Sequence, residues 1–287
     1  MKQRQFGRTG MRVSDVALGT GRACSREILD AFAHAGGTFI DTSSAYLAGA
    51  SEETIGTWLA DAGRDRFVIA TKYARIAGGN HRGAMRTELE TSLRRLKTDR
   101  IDLFFAHFDD GVTPIDEIMR GLDDLVRAGK IIHIGLSNFP AWRSASAAAL
   151  ADVRGWTPLA ALQLQYSLLS REIEREHLPH ARANQLAVMA YSPLAAGQLA
   201  KGALPLVDTI ARELGTTPIA VALAWVRAKD LIPVLGPRDA KQLAENLVEV
   251  SLDATHVQFL DDATAIPHGY PYEILDTVRS SLGIVAS

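Results

Sequence analysis

Residues 37–56 read "GTFIDTSSAYLAGASEETIG" and combine a short apolar run, an acid, a tyrosine and the start of a helix. The apolar run at 39–40 leads into Asp41, and Tyr46 follows five residues later in a loop of small residues. A helix then opens at 51–53 with the sequence Ser-Glu-Glu. The stretch therefore predicts a strand that stops on a carboxylate, with a phenol held in the loop just beyond it.

Apolar runs like this one recur along the chain, with helical segments between them. Because the runs are nearly continuous rather than alternating, they indicate parallel strands that are covered on both faces. The predicted strands are "VALG" at 16–19, "TFID" at 38–41, "FVIATK" at 67–72, "IDLFFAH" at 101–107, "IIHIGLS" at 131–137, "ALQLQY" at 161–166, "AVMAYS" at 187–192 and "LIPVLG" at 231–236. Before them, "RQFGRTGMRV" predicts a small hairpin that turns at Arg8-Thr9-Gly10.

Between the strands, apolar residues recur at helical spacing. Gly129 follows the third of the clearest helices and leads straight into a strand, as expected at the end of a helix. The three apolar faces comprise Ile55, Trp58, Leu59 and Ala62; Met85, Leu89, Leu93 and Leu96; and Ile118, Leu122, Leu125 and Val126.

Eight strands separated by helices, with no break in composition, predict an α/β fold. We expect a single (β/α)8 TIM barrel domain over residues 1–287, preceded by the short N-terminal β-hairpin. A doubly wound sheet is the rival fold, and it would want a G-x-G-x-x-G turn after its first strand. The sequence contains no such turn there, so the barrel is favoured.

The composition limits the partners that the protein can be expected to have. Hydrophobic residues make up 47% of the 287 residues, charged residues make up 22%, and the formal net charge is -2. Without a basic stripe, nucleic acid is not an expected partner. The N-terminus has no apolar signal core, no run reaches the roughly 18 apolar residues of a membrane span, and Cys24 is a lone cysteine. We therefore expect a cytoplasmic protein that is a monomer or a weak oligomer.

In a barrel, catalytic residues come from the carboxyl ends of the strands. Taken singly, each polar residue there has an ordinary structural interpretation, such as a helix cap, an extended lysine or a structural histidine. Because seven strands have polar residues at or just after their carboxyl ends, one common site is favoured instead. The residues are Asp41, Lys72, His107, Ser137, Asn138, Gln163, Tyr191, Ser192 and Arg238.

A tyrosine, a lysine, an acid and a histidine suit proton transfer to a carbonyl oxygen. A phenol has a pKa of about 10, and a nearby ammonium such as that of Lys72 favours loss of its proton. Asp41 can hold that ammonium, and His107 can orient a carbonyl oxygen by donating a hydrogen bond. Hydride delivery to an aldehyde or ketone needs such groups, and it implies a reduced nicotinamide. No histidine or cysteine spacing suggests a metal site.

The chain resembles the aldo-keto reductases over most of its length. Six segments carry the resemblance in the order that the family shows: "FIDTSSAY…SEETIG", "FVIATK", "SLRRLKTDRIDLFFAH", "LVRAGKIIHIGLSNF", "YSPLAAGQLAKG" and "LGPRDAKQLAEN". The resemblance implies that Tyr46 is the proton donor in reduction, tuned by Lys72 and Asp41. It implies that His107 positions the substrate carbonyl.

The resemblance also implies a set of cofactor contacts. Gln163 is chosen over Gln165 because the family shows Gln-x-x-Tyr, and Tyr166 fixes that register. Arg238 is expected at the adenosine 2′-phosphate, which favours NADP, and NAD is the alternative. The full set is Gly19, Thr20, Asp41, Ser137, Asn138, Gln163, Tyr191, Ser192, Leu194, Gly197, Gly236, Arg238, Gln242 and Asn246.

The expected function is NADPH-dependent reduction of a small aldehyde or ketone to an alcohol. Two alternatives remain open: an NAD(P)-dependent aldose or sugar dehydrogenase, and a cofactor-binding redox-sensing regulatory protein with little turnover. The sequence gives no substrate, because barrel loops choose it.

Several segments depart from the family pattern. Only "KGALP" at 201–205 replaces a longer basic loop, which predicts a looser cofactor clamp. "HFDDG" at 107–111 follows the histidine strand, so its acids either line the mouth of the site or form a turn that caps the next helix. The loop "ARIAGGNHRG" at 74–83 is short and glycine-rich. Tyr270 and Tyr272 are expected to pack near the mouth or to touch substrate.

Overall fold

A closed barrel of eight parallel strands occupies the centre of the protein, which we describe from a computed structural model. The structure describes residues 1–75 and 78–283, apart from the side chain of Asp276. A hairpin, β1 (Gln3–Gln5) and β2 (Arg12–Ser14), precedes the barrel. The barrel strands are β3 (Ala17–Gly19), β4 (Phe39–Asp41), β5 (Val68–Tyr73), β6 (Ile101–Ala106), β7 (Ile131–Ser137), β8 (Leu159–Gln165), β9 (Ala187–Tyr191) and β10 (Ile232–Leu235).

The strands pair in chain order, and β10 closes the barrel against β3. Each predicted strand overlaps an observed strand, with ends that differ by at most two residues. The predicted (β/α)8 TIM barrel with an N-terminal hairpin is therefore confirmed.

Helices cover the outside of the barrel, and the last three helices of the described residues follow its final strand. Several start at a side chain that accepts an orphan backbone N–H, as Ser25, Thr217 and Asp239 do. The helices are α1 (Arg26–His34), α2 (Ala50–Ala62), α3 (Arg82–Leu96), α4 (Ile115–Arg127), α5 (Ala141–Arg154), α6 (His177–Ala183), α7 (Pro205–Glu213), α8 (Pro218–Ala228), α9 (Ala240–Asn246), α10 (Ala254–Ala263) and α11 (Tyr272–Ser281).

The three predicted apolar faces lie on α2, α3 and α4 and pack against the barrel. The α3 face is wholly buried, whereas the last residue of the α2 face and the last two of the α4 face are half-buried. Gly129 follows the C-cap of α4 with φ +70°, the left-handed conformation that ends a helix. The predicted end of this helix is therefore confirmed.

A second apolar cluster fills the barrel and closes its amino end. Phe6 and Val13 from the N-terminal hairpin are fully buried in this cluster together with Phe39 of β4. The rings of Phe6 and Phe39 meet edge to face with centroids 5.5 Å apart. The hairpin therefore plugs the amino end, and the polar residues gather at the carboxyl end.

The connection that follows the "YSPLAAG" segment is short, as the sequence predicts. A single turn of 3-10 helix spans Leu199–Lys201, and α7 begins at Pro205. None of the helices within the described residues is long and apolar enough to cross a bilayer.

Candidate active site

The ends of β4 and β5 bring a lysine and an acid together in the centre of the carboxyl face. Lys72 is fully buried, and its Nζ lies 2.8 Å from both carboxylate oxygens of Asp41. The same nitrogen donates to the Thr42 carbonyl at 2.9 Å and reaches the Tyr46 hydroxyl at 3.4 Å. The ammonium therefore contacts the predicted proton donor and its own counter-ion together.

The loop after β4 places the Tyr46 ring by an unusual backbone path. Leu47, Ala48 and Gly49 all have left-handed φ angles, of +49°, +55° and +98°. The Gly49 angle is one that residues with a Cβ rarely adopt, so glycine is favoured at that turn. As a result, the Tyr46 ring lies over the Lys72 ammonium, with 4.9 Å between Nζ and the ring centroid.

The Lys72 ammonium keeps its charge despite its burial. Burial alone lowers the pKa of a lysine, but the Asp41 carboxylate and the contacts with Tyr46 outweigh it, and the pKa of Lys72 is raised. A positive charge held at the phenol oxygen favours loss of the phenol proton. The arrangement of Asp41, Lys72 and Tyr46 is thus suited to proton donation.

His107 completes the group from the end of β6 and is held neutral. Burial, with added repulsion from the cations Lys72 and Arg75, lowers the pKa of His107 to about 2. Its ring meets Tyr46 edge to face, 5.8 Å between centroids, and stacks on Phe108 at 4.6 Å. Its Nδ1 lies 3.2 Å from the Ser43 hydroxyl. The histidine can therefore act as a fixed neutral hydrogen-bonding group.

Four of the predicted cofactor residues form hydrogen bonds that lead to the same centre. Gln163 crosses the barrel mouth, and its Nε2 donates to Asp41 Oδ1 at 2.7 Å. Asn138 has φ +57°, and its amide nitrogen donates to the His107 carbonyl at 3.0 Å and to the Ser137 hydroxyl at 2.9 Å. Tyr191 donates to Asn138 Oδ1 at 2.9 Å. These side chains fix one another before any ligand arrives.

Two predicted cofactor residues on β3 and its loop make contacts within the protein. Gly19 pairs with Asp41 in the barrel register. The Thr20 hydroxyl is buried and donates to the Asp41 carbonyl at 3.1 Å. Both residues therefore support the end of β4, and a cofactor role for them stays a prediction.

The loop after β9 offers backbone rather than side chains. Ser192 has φ +52°, and Ala195, Ala196 and Gly197 are also left-handed. Leu194 precedes this turn, and its carbonyl accepts from the Gly197 amide at 2.9 Å. The Ala195 amide likewise donates to the Ser192 carbonyl at 2.9 Å, so the turn is held by its own backbone hydrogen bonds. The loop is where the pyrophosphate of a dinucleotide is predicted to bind.

The loop after β10 and the helix α9 contain polar groups that have no partner among the described residues. The Arg238 amide, beyond Gly236, donates to Gln242 Oε1 at 2.7 Å, whereas the guanidinium forms no ion pair with any described residue. Asn246 is 3% exposed, and its Oδ1 has no partner among residues 1–75 and 78–283. A buried acceptor without a donor is costly, so a bound donor such as an adenine amino group fits it. These residues fit the adenosine end of a nicotinamide dinucleotide.

The two acids of the "HFDDG" segment hold loops together. Asp109 pairs with Arg143 at 3.1 Å. Asp110 accepts from the Asn80 and Thr113 amides, both at 2.8 Å, and from the Thr113 hydroxyl at 2.6 Å. The cap of α4 is instead Pro114, without a side-chain hydrogen bond, so the predicted acidic helix cap is not formed.

Phe108 of the same segment stacks on His107 and is exposed at the mouth of the site. Phe108 is 39% exposed, and the Arg75 guanidinium lies 5.8 Å from the centroid of its ring. Residues 76–77 of the glycine-rich loop lie outside the described residues. At the C-terminus, Tyr270 is 84% exposed and unpacked, whereas Tyr272 donates to Glu176 at 3.0 Å.

Three positions next to the four predicted catalytic residues were not predicted from the sequence. Thr42 supplies its carbonyl to Lys72, and Ser43 contacts His107. Gly21 lies against Tyr46: a Cβ there would come 3.3 Å from the ring carbon that bears the hydroxyl. The only sequence signal was their place beside predicted residues, in "GTG" and "DTSSAY".

A parallel barrel with a buried lysine, acid and histidine beside a half-buried tyrosine at its carboxyl rim defines a class of oxidoreductases that act on carbonyl groups. Residues 10–264 match the model of the Aldo/keto reductase family. The chain belongs to that family. It is accordingly an NAD(P)-dependent oxidoreductase that takes a nicotinamide cofactor and a small carbonyl compound.

Relatives with similar sequences carry oxidoreductase names. The chain is 37% identical to "Uncharacterized oxidoreductase YrpG" of Bacillus subtilis (strain 168), over 94% of this chain and 98% of that protein. It is 31% identical to "Aryl-alcohol dehydrogenase [NADP(+)]" of Phanerodontia chrysosporium, over 88% and 78% of the two chains. It is 30% identical to "Norsolorinic acid reductase" of Aspergillus flavus, over 93% and 81%.

Proposed function

We propose that the protein catalyses the reversible, NADPH-dependent reduction of an aldehyde or ketone to an alcohol, with Tyr46 as the proton donor. One observation carries the proposal: the fully buried Lys72 ammonium bridges the Asp41 carboxylate at 2.8 Å and the Tyr46 hydroxyl at 3.4 Å. A neutral histidine, His107, lies beside the same phenol.

The chemistry divides between the protein and its cofactor. A bound reduced nicotinamide supplies the hydride. Tyr46 donates its proton to the carbonyl oxygen as negative charge develops there, and Lys72 stabilises the phenolate that remains. Asp41 keeps the ammonium charged and in place, while His107 orients the carbonyl by a hydrogen bond. In alcohol oxidation the same phenolate accepts the proton.

NADP is the preferred cofactor in this proposal. The Arg238 guanidinium, which forms no ion pair with the residues described, is free to take a phosphate by two parallel hydrogen bonds. The name of the relative from Phanerodontia chrysosporium also specifies NADP(+). NAD, which lacks the 2′-phosphate, would leave this charge unused.

Aryl aldehydes and ketones are the proposed substrates. The exposed ring of Phe108 stacks on His107, so an aromatic surface borders the carbonyl position. The relative from Phanerodontia chrysosporium is named for aryl alcohols. Both observations favour an aryl group next to the reacting carbon.

The proposal is tested by following NADPH absorbance with a panel of aryl aldehydes, aryl ketones and aldoses. We expect Tyr46→Phe to lower kcat by about 10²- to 10⁴-fold, the usual contribution of a positioned acid. Tyr73→Phe is the matched control, because this buried hydroxyl on the next residue after Lys72 has no partner among the described residues. Its kcat should equal that of the wild type.

Other outcomes would contradict the proposal in distinct ways. Tight NADPH binding without turnover of any carbonyl would favour a redox-sensing regulatory protein. Turnover only of aldoses with NAD(P)+ would favour a sugar dehydrogenase.

A further inference from the structure

The His107 ring is buried and neutral, so only one of its two nitrogens carries a proton. Which nitrogen carries it decides what the ring can do, because a carbonyl oxygen needs a donor. Nδ1 lies 3.2 Å from the Ser43 hydroxyl. Nε2 makes no hydrogen bond within the part of the chain that the structure describes.

The surroundings of Ser43 determine where its hydroxyl hydrogen points. Ser43 is fully buried, and its oxygen accepts from the Ala45 amide at 3.3 Å. Its hydrogen can go to His107 Nδ1 at 3.2 Å when that nitrogen is unprotonated, or to the Lys72 carbonyl at 3.4 Å. The Lys72 carbonyl already accepts from the Ser44 amide at 3.1 Å. Nδ1 is therefore both the nearer acceptor and the one without another donor.

We propose that Ser43 is a positioning residue that donates to His107 Nδ1 and thereby fixes the tautomer with its proton on Nε2. The proposal rests on the proposed function, in which His107 orients the substrate carbonyl. With the proton on Nε2, the ring presents a donor to the carbonyl oxygen. In the other tautomer a lone pair would face that oxygen and repel it.

The Asn138 side-chain amide holds the His107 backbone in place, and Phe108 packs on the ring. The amide nitrogen donates to the His107 backbone carbonyl at 3.0 Å, and Phe108 covers one ring face. The ring position is thus held by packing, and Ser43 contributes the choice of proton position. Removal of the hydroxyl should therefore change the tautomer and the turnover without displacing the ring.

The direct test is nitrogen NMR of the full chain labelled with ¹⁵N-histidine, with and without NADP+. The chain has eight histidines, and the His107 signals are assigned by their loss in His107→Gln. We expect Nδ1 of the wild type to have the shift of an unprotonated ring nitrogen and Nε2 that of a protonated one. The reverse pattern would overturn the proposal. This result needs no turnover, so it is independent of the proposed function.

Kinetics supply the second test. We expect Ser43→Ala to lower kcat by about 100-fold, the lower limit of the range for proton-transfer groups, with little change in KM for NADPH. Ser43→Cys keeps a weak donor and should recover part of this loss.

Ser44→Ala is the matched control, because this adjacent buried hydroxyl donates to Glu88 at 2.8 Å and not to His107. Its kcat should remain that of the wild type. Equal losses in both alanine variants would indicate damaged packing and contradict the assignment. If Ser43→Ala does not fold, the wild-type spectrum alone decides. If the wild type turns over no carbonyl, the proposed function fails while the tautomer assignment is still tested.

Discussion

The two halves of the barrel rim differ in how far their polar groups are already paired. Around β4, β5 and β6, Asp41, Lys72 and His107 are buried and bonded to one another or to neighbouring groups. After β10, the Asn246 acceptor and the Arg238 guanidinium have no partners in the described ranges. We call these the catalytic half and the cofactor half.

The difference indicates a division of labour. Preorganised groups cost no reorganisation when charge develops in the transition state, so the catalytic half should act on kcat. Unpaired groups gain their partners only from a ligand, so the cofactor half should act on NADPH affinity. Substitutions in the two halves should therefore separate kcat from KM.

The largest effect is expected from Lys72→Met in the catalytic half. It leaves the Asp41 carboxylate buried without its ammonium, which should lower the free energy of unfolding by about 3–5 kcal/mol. Turnover should fall by about 10³-fold as the phenol loses its charged neighbour. Urea unfolding measures the loss of stability, and NADPH oxidation measures the loss of turnover. Lys2→Met, an exposed lysine next to β1, is the control and should change neither.

In the cofactor half, Arg238→Ala should raise KM for NADPH by about 10- to 100-fold, the equivalent of one charge-assisted hydrogen-bond pair. KM for NADH and kcat at saturating NADPH should stay unchanged, because NADH has no 2′-phosphate. The KM of Arg238→Lys for NADPH should lie between those of the wild type and Arg238→Ala, since a lysine cannot bind bidentately. An equal loss with both cofactors in initial-rate measurements would refute the phosphate role.

The burial of His107 predicts a pH dependence that is specific to the catalytic half. Its pKa is lowered to about 2, so below about pH 6.5 the unfolded chain binds a proton that the folded chain does not. The free energy of unfolding should fall with decreasing pH, by up to about 1.4 kcal/mol per pH unit from this group. Urea unfolding at pH 5, 6 and 7 should show a shallower slope in His107→Gln. The same slope in both proteins would show that the ring is hydrated.

The smallest effect is expected from Asn246→Ala. Loss of one neutral hydrogen bond to adenine should raise KM for NADPH about fivefold, which corresponds to about 1 kcal/mol. Its Oδ1 has no partner among the described residues, so the melting temperature without cofactor should not fall. A large loss of stability without cofactor would mean that the side chain has a structural role.

The ends of the strands could be predicted from the sequence, but the side-chain contacts between those ends could not. Asp41, Lys72 and His107 could be placed on one rim because parallel barrel strands all end on the same face. The hydrogen bond from Gln163 to Asp41 joins residues 122 positions apart, and it depends on side-chain reach across the mouth.

Loops limited the prediction most. Leu47 and Ala48 adopt left-handed φ angles although neither residue type signals such a turn, so the direction of Tyr46 could not be derived. Asp109 and Asp110 suggested either a mouth lining or a helix cap, yet their partners are Arg143, Asn80 and Thr113. Local charge patterns do not contain those loop-to-loop contacts.

The most direct test of the division between the halves is the single-turnover rate of hydride transfer at saturating NADPH, followed by stopped flow. We compare the wild type, Tyr46→Phe and Arg238→Ala with one aryl aldehyde. The division predicts a rate reduced by about 10²- to 10⁴-fold in Tyr46→Phe and a wild-type rate in Arg238→Ala. A hydride-transfer rate that falls equally in both variants would contradict it.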